Sequence, residues 1–131
     1  MIRTTTCLAL ALTFMTLPAS AQDCSGAQTQ VELNQCAYSA WQTADAELNS
    51  VYKRVMALLK EQDGQLYVGL RGGPEALRDA QRAWITFRDK TCEAEGFAMR
   101  GGTAEPMVVG FCLTRVTRER IGHLYGMLQD Y

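Results

Sequence analysis

The stretch Leu77-Arg78-Asp79-Ala80-Gln81-Arg82-Ala83-Trp84-Ile85-Thr86-Phe87-Arg88-Asp89-Lys90-Thr91-Cys92 decides how the chain folds. Positions 77, 80, 84, 87 and 91 alternate steps of three and four, the spacing of one helix face, and Leu77, Trp84 and Phe87 are its large apolar members. Arg78, Asp79, Arg82, Asp89 and Lys90 fall mostly on the other faces. A helix cannot bury such a stripe alone, so other helices must cover it. Cys92 closes the run and can tie it to another segment.

Two further helices are available. Upstream, Thr29 followed by Glu32 forms a capping box. Ala37, Trp41, Ala44, Leu48, Val51, Val55 and Leu58 then step by four and three without a break. No Pro or Gly intervenes before Gly64, so the spacing predicts a helix from about 29 to 62, near 50 Å long. Downstream, Pro74 opens the central helix, which runs to about Gly96. Pro106 opens a third helix with an expected stripe of Met107, Phe111, Thr114, Arg118, Ile121, Tyr125 and Leu128. An Arg118 on that stripe either finds a buried partner or packs its stem while its head reaches water. Strand signals are short and scattered. The expected fold is all-α: a small antiparallel bundle of three main helices.

The first 21 residues are read as a leader. Arg3 supplies the positive charge, Cys7 to Leu17 the apolar region, and the segment ending at Ala21 an Ala-x-Ala cleavage pattern. It is too short for a membrane span, and no later run is long and apolar enough for one. A lipid anchor would need small residues directly before a cysteine, whereas Gln22-Asp23 precede Cys24. Residues 22–131 then form a single domain of about 110 residues. Without Arg3, 12 Lys plus Arg stand against 14 Asp plus Glu, a net charge near −2. That balance lacks the basic face that nucleic-acid binding needs.

Removing Cys7 leaves Cys24, Cys36, Cys92 and Cys112. An even number in a small exported domain points to two disulfides. Three connectivities are open, and the one with two local bridges, 24–36 and 92–112, is favoured. Zinc ligation would want close Cys-x-x-Cys pairs or nearby histidines, and neither occurs.

Chemistry is hard to find in the chain. His123 is the only histidine, so a Ser-His-Asp or Cys-His site would depend on it. Asp45, Glu47, Asp89, Glu93 and Glu95 are the carboxylates that a glycosidase-type pair would draw on. Gly69-x-x-Gly72-Gly73-Pro74 lacks the Lys-Ser or Lys-Thr of a phosphate loop. No catalytic residue, metal or cofactor is assigned. Asp45, Asn49 and Tyr52 share a helix face, and with Arg88 or Arg118 they suit either a buried hydrogen-bond network or a polar pocket. Gln62 to Gly73 is a glycine-broken connection containing Leu66, Tyr67, Val68 and Leu70. Those residues either fold back on the core or stay outside for a partner.

One combination of motifs is specific. Cys24-x-x-Ala27-x-Thr29-Gln30-x-Glu32-Leu33-Asn34-x-Cys36-Ala37 is followed by Ala44-Asp45-x-Glu47-Leu48-Asn49-x-x-Tyr52. Then come Leu77-Arg78-x-Ala80-Gln81-Arg82-Ala83-Trp84-Ile85-x-Phe87-Arg88-Asp89, Cys92, and finally Cys112-Leu113-Thr114-x-x-Thr117-Arg118. Together these resemble the LprI-type lysozyme inhibitor domain over nearly all of the chain beyond the leader. The resemblance implies a small, helical, cysteine-bearing exported bacterial protein, periplasmic or secreted, that binds a lysozyme or related muramidase without catalysis. It would act as a monomer, with no membrane anchor. An envelope protein with a structural or stress-related role and another partner is the alternative. If a lysozyme is the partner, Tyr67 and Arg71 on the exposed connection are the best anchors, because Tyr and Arg dominate binding hot spots.

Overall fold

The computed structural model describes residues 23–129. The expected leader lies outside them. A short 3-10 turn, Cys24–Gly26, leads into three helices: α1 (Gln30–Gln65), α2 (Gly73–Gly96) and α3 (Glu105–Gln129). No strand occurs among the described residues.

The ends of the helices follow from local chemistry. The Thr29 hydroxyl accepts from the Glu32 backbone N–H at 3.2 Å, and the Glu32 carboxylate accepts from the backbone N–H of Thr29 at 3.0 Å and of Gln28 at 2.8 Å. This capping box starts α1, which runs 36 residues, about 54 Å. Pro74 lies in the first turn of α2, where a missing N–H costs nothing. Gly72 precedes it with φ 142°, a conformation that glycine reaches without Cβ strain.

The bundle runs up, down, up. Ala37 of α1 lies against Gly110 of α3, while Leu48, Val51 and Val55 share a core with Ile121 and Leu124 further along. α1 and α3 therefore lie side by side in the same direction, with α2 running back across them. A Cβ added to Gly110 would sit 3.0 Å from the Ala37 Cβ and 3.1 Å from its carbonyl carbon. These two helices meet almost backbone to backbone. Leu77 of α2 completes the main core, with Tyr52, Leu59, Trp84 and Met127 packed around it. A second cluster of Cys92, Cys112 and Val116 joins α2 to α3. Both favoured disulfides are present: Cys24–Cys36 fastens the lead-in to α1, and Cys92–Cys112 links α2 to α3.

Two helix faces differ from the expected ones. On α2 the buried residues are Pro74, Leu77, Arg88, Cys92 and Gly96, with Gln81 and Trp84 partly covered. Phe87 is 60% exposed and Ala80 is also exposed. The Cys92 bridge and the burial of Arg88 turn the inward face toward 81, 88 and 92. On α3 the inward residues are Gly110, Thr114, Thr117, Ile121 and Leu124, with Cys112 and Val116 facing α2. Phe111, Arg118 and Tyr125 point outward. The close approach at Gly110 selects small residues, which a search for large apolar side chains passes over. Arg118, exposed, has its head in water.

Candidate functional site

Two features stand out from the bundle: a loop at one end and a cleft along one side. The loop joins α1 to α2. The Asp63 carboxylate sets its base, accepting from the Gly72 N–H at 2.9 Å and the Gly73 N–H at 3.3 Å. Asp63 thus stands in for a cap on α2, placing negative charge at the helix's positive end. The Asp63 carbonyl also accepts from the Leu66 N–H, and a 3-10 turn, Val68–Leu70, closes the far side. Arg71 Nε donates to the Leu66 carbonyl at 3.0 Å across the loop.

This frame holds apolar side chains in solvent. Tyr67 is 86% exposed, Val68 78% and Leu70 68%. The alternative in which these residues fold back on the core is therefore set aside. α1 ends before they can reach the core, and the Asp63 bonds close the loop too tightly for them to turn inward. Tyr67 and Arg71 lie on the same closed loop, Arg71 also exposed.

The cleft lies between α1 and α2, which touch each other far less than either touches α3. It encloses about 400 Å³. Asp45, Asn49 and Tyr52 line one wall at helical spacing; Arg78, Arg82 and Ile85 line the other at the same spacing. Arg88 occupies the inner end. Its Nη1 donates to Asp45 at 3.3 Å and its Nε to Asp89 at 2.8 Å. Its guanidinium lies 5.6 Å from the Trp41 ring centroid and 5.0 Å from that of Trp84, a cation between two indoles. Asn49 donates to the other Asp45 oxygen at 3.1 Å. Of the two arginines considered for this network, Arg88 belongs to it and Arg118 does not. Tyr52 borders the cleft without a hydrogen bond to Asp45 among those found.

The other candidate chemical groups do not converge. Glu93 pairs with Lys90, and Glu95 with Arg115. The neighbouring lysine holds Glu93 below the usual carboxylate range. Glu47 and His123 stand exposed on separate helices. Among the described residues no group of three or more His, Cys, Asp or Glu is placed to hold a metal ion.

A family model described as lysozyme inhibitor LprI matches residues 20–124. The chain belongs to the LprI family. An uncharacterized protein of Rhizobium meliloti (strain 1021) is 44% identical over 122 residues, covering 88% of each chain. No solved structure matches.

The LprI motif residues divide by role in this fold. Thr29 and Glu32 cap α1, the four cysteines form the two bridges, and Asp45, Asn49 and Arg88 build the network at the cleft. Leu77, Trp84 and Thr117 pack inside. The exposed loop falls between the motif blocks, so the LprI resemblance carried no information about it. Its signal was four apolar residues inside a glycine-broken connection. The spacing puts Arg78 and Arg82 off the apolar stripe of α2, and their place on a cleft wall depends on how α2 is rotated.

Proposed function

We propose that this LprI-family protein binds a lysozyme or related muramidase and blocks it sterically, as an exported monomer without chemistry of its own. The observation that carries this reading is the closed loop at the α1–α2 junction, which presents Tyr67 beside Arg71 on a frame already tied at its base. An apolar tip that is held out of the core by backbone bonds has little ordering entropy left to lose on binding. A glycosidase cleft offers what such a tip fits: sugar subsites for an aromatic ring and a pair of carboxylates for a guanidinium. The family description names lysozyme inhibition. The net charge near −2 of residues 22–131, 12 Lys plus Arg against 14 Asp plus Glu, is compatible with a cationic enzyme. Two disulfides suit an oxidising compartment outside the cytoplasm.

The test is the double variant Tyr67→Ala/Arg71→Ala. Both side chains lie in solvent, so the helical core and its melting temperature should stay close to the parent's, and Tyr67→Ala alone, which keeps the Arg71 bond to the Leu66 carbonyl, separates a lost contact from a loosened loop. Inhibition of lysozyme in a cell-wall lysis assay should weaken by at least about 30-fold, the effect of losing one strong hot spot. Undiminished inhibition by this variant would remove the loop from the account.

A further inference from the structure

The cleft between α1 and α2 has a use that the loop does not explain. Arg78, Arg82 and Ile85 stand one helical turn apart on one wall, facing Asp45, Asn49 and Tyr52 on the other. Asp45 is the carboxylate among the lining residues, and it is engaged by Arg88 and Asn49. Arg78 meets Glu75 at 3.5 Å with both side chains about half exposed or more, a pairing that a better anion displaces easily. Arg82 enters no ion pair among the described residues. The lining carries three guanidiniums, Arg78, Arg82 and Arg88, against the one carboxylate of Asp45. Its volume of about 400 Å³ falls within the range of small-molecule sites.

We propose that the cleft binds a small sugar acid, its carboxylate held by Arg78 and Arg82 and its hydroxylated body lying against Asn49, Tyr52 and Ile85. Two guanidiniums on one helix face match a carboxylate in fork geometry. An amide, a phenol and an aliphatic surface match the alternating polar edges and apolar faces of a pyranose ring. The interior end of the site is held by Arg88, which is buried, lies near the Trp41 and Trp84 rings and pairs with Asp45 and Asp89. The cleft is separate from the Tyr67 loop, and the assignment does not depend on lysozyme being the partner.

The experiment is a titration of the full oxidised protein in phosphate-free buffer, followed by 1H–15N NMR. N-acetylmuramic acid is the probe, N-acetylglucosamine its neutral counterpart lacking the lactyl carboxylate, and inorganic phosphate the bare anion. The proposal expects saturable shifts at Asn49, Arg78 and Arg82 with N-acetylmuramic acid, at a Kd on the order of 1 mM or tighter. N-acetylglucosamine should bind at least about ten-fold more weakly, the worth of one charge-assisted hydrogen bond. Arg82→Gln, at an exposed position, should reduce affinity by about the same factor while leaving the unliganded spectrum folded. Equal binding of both sugars would overturn the carboxylate assignment. Binding of phosphate with none of either sugar would overturn the sugar assignment. Absence of saturable shifts with all three probes would overturn the site itself.

Discussion

Arg88 is 7% exposed and well partnered: its guanidinium lies near the Trp41 and Trp84 rings and pairs with Asp45 and Asp89. Removing Asp45 leaves a guanidinium that is itself buried short of one acceptor. Asp45→Ala should therefore lower stability by about 1–3 kcal/mol, seen as a fall of several degrees in melting temperature. Unchanged thermal stability would show that the network carries no weight. Arg88→Lys should be destabilising too, since an ammonium neither forks to two carboxylates nor spreads across two rings. Glu32 makes a different prediction. Backbone N–H groups of Gln28 and Thr29, with the Thr29 hydroxyl, hold its carboxyl below the ordinary glutamate value. Its folded pKa being the lower one, its contribution is complete above the unfolded value and lost as pH falls through the folded value. Glu32→Gln should lower stability across the neutral and alkaline plateau, where the contribution is complete, and flatten the acid limb of the profile. Both Glu32 and Asp45 were legible in the sequence, because a cap and an i, i+4, i+7 face are local patterns. Whether Arg88 or Arg118 joined Asp45 was not, since that depends on how two distant helices are rotated.

The helices themselves could be read from start signals and spacing; their inward faces could only be read in part. α1 kept its expected stripe because alanine, leucine and valine repeat without a competitor. On α2, Phe87 was the better apolar candidate and Arg88 the worse, yet Arg88 is inside. Exposing Phe87 forgoes burial worth roughly 2 kcal/mol, and the disulfide at Cys92 together with the ion pairs of Arg88 outweighs it. On α3, Gly110 decides the register by letting α1 approach. Gly110→Ala gains about 1 kcal/mol of helix propensity but drives a methyl into the Ala37 backbone, and such overpacking costs about 1–3 kcal/mol. The net effect should be destabilising. Gly122 has nothing within 4 Å of an added Cβ, so Gly122→Ala should gain stability, up to about 1 kcal/mol. Chemical denaturation of the two variants side by side checks the packing: if both stabilise, α1 and α3 are not in the close contact described.

Across the molecule, the bridges hold a domain whose helices would otherwise have few staples. Cys92–Cys112 encloses a 20-residue separation, lies buried and joins α2 to α3 across the inter-helix turn. Replacing both cysteines by alanine should cost about 3 kcal/mol, and somewhat more than replacing Cys24 and Cys36, whose separation is 12 and whose surroundings are more open. The all-α class and the helix count were legible in the spacing, and the even cysteine number pointed to two bridges with the local pairing favoured; the choice among the three connectivities came from the structure. The orientation of the loop was not legible, because Leu66 to Leu70 carry as much apolar character as a core segment and the bonds that frame the loop, Asp63 accepting from Gly72 and Gly73 and Arg71 donating to Leu66, form only in the fold. That loop is where the account is most exposed to test. The direct measurement is a titration of the oxidised protein, residues 22–131, into lysozymes of several types, reading cell-wall lysis and binding heat together. The account predicts stoichiometric inhibition with a measurable heat for at least one type, lost in Tyr67→Ala/Arg71→Ala. Neither inhibition nor heat with any of them would contradict it and leave the loop to a different partner.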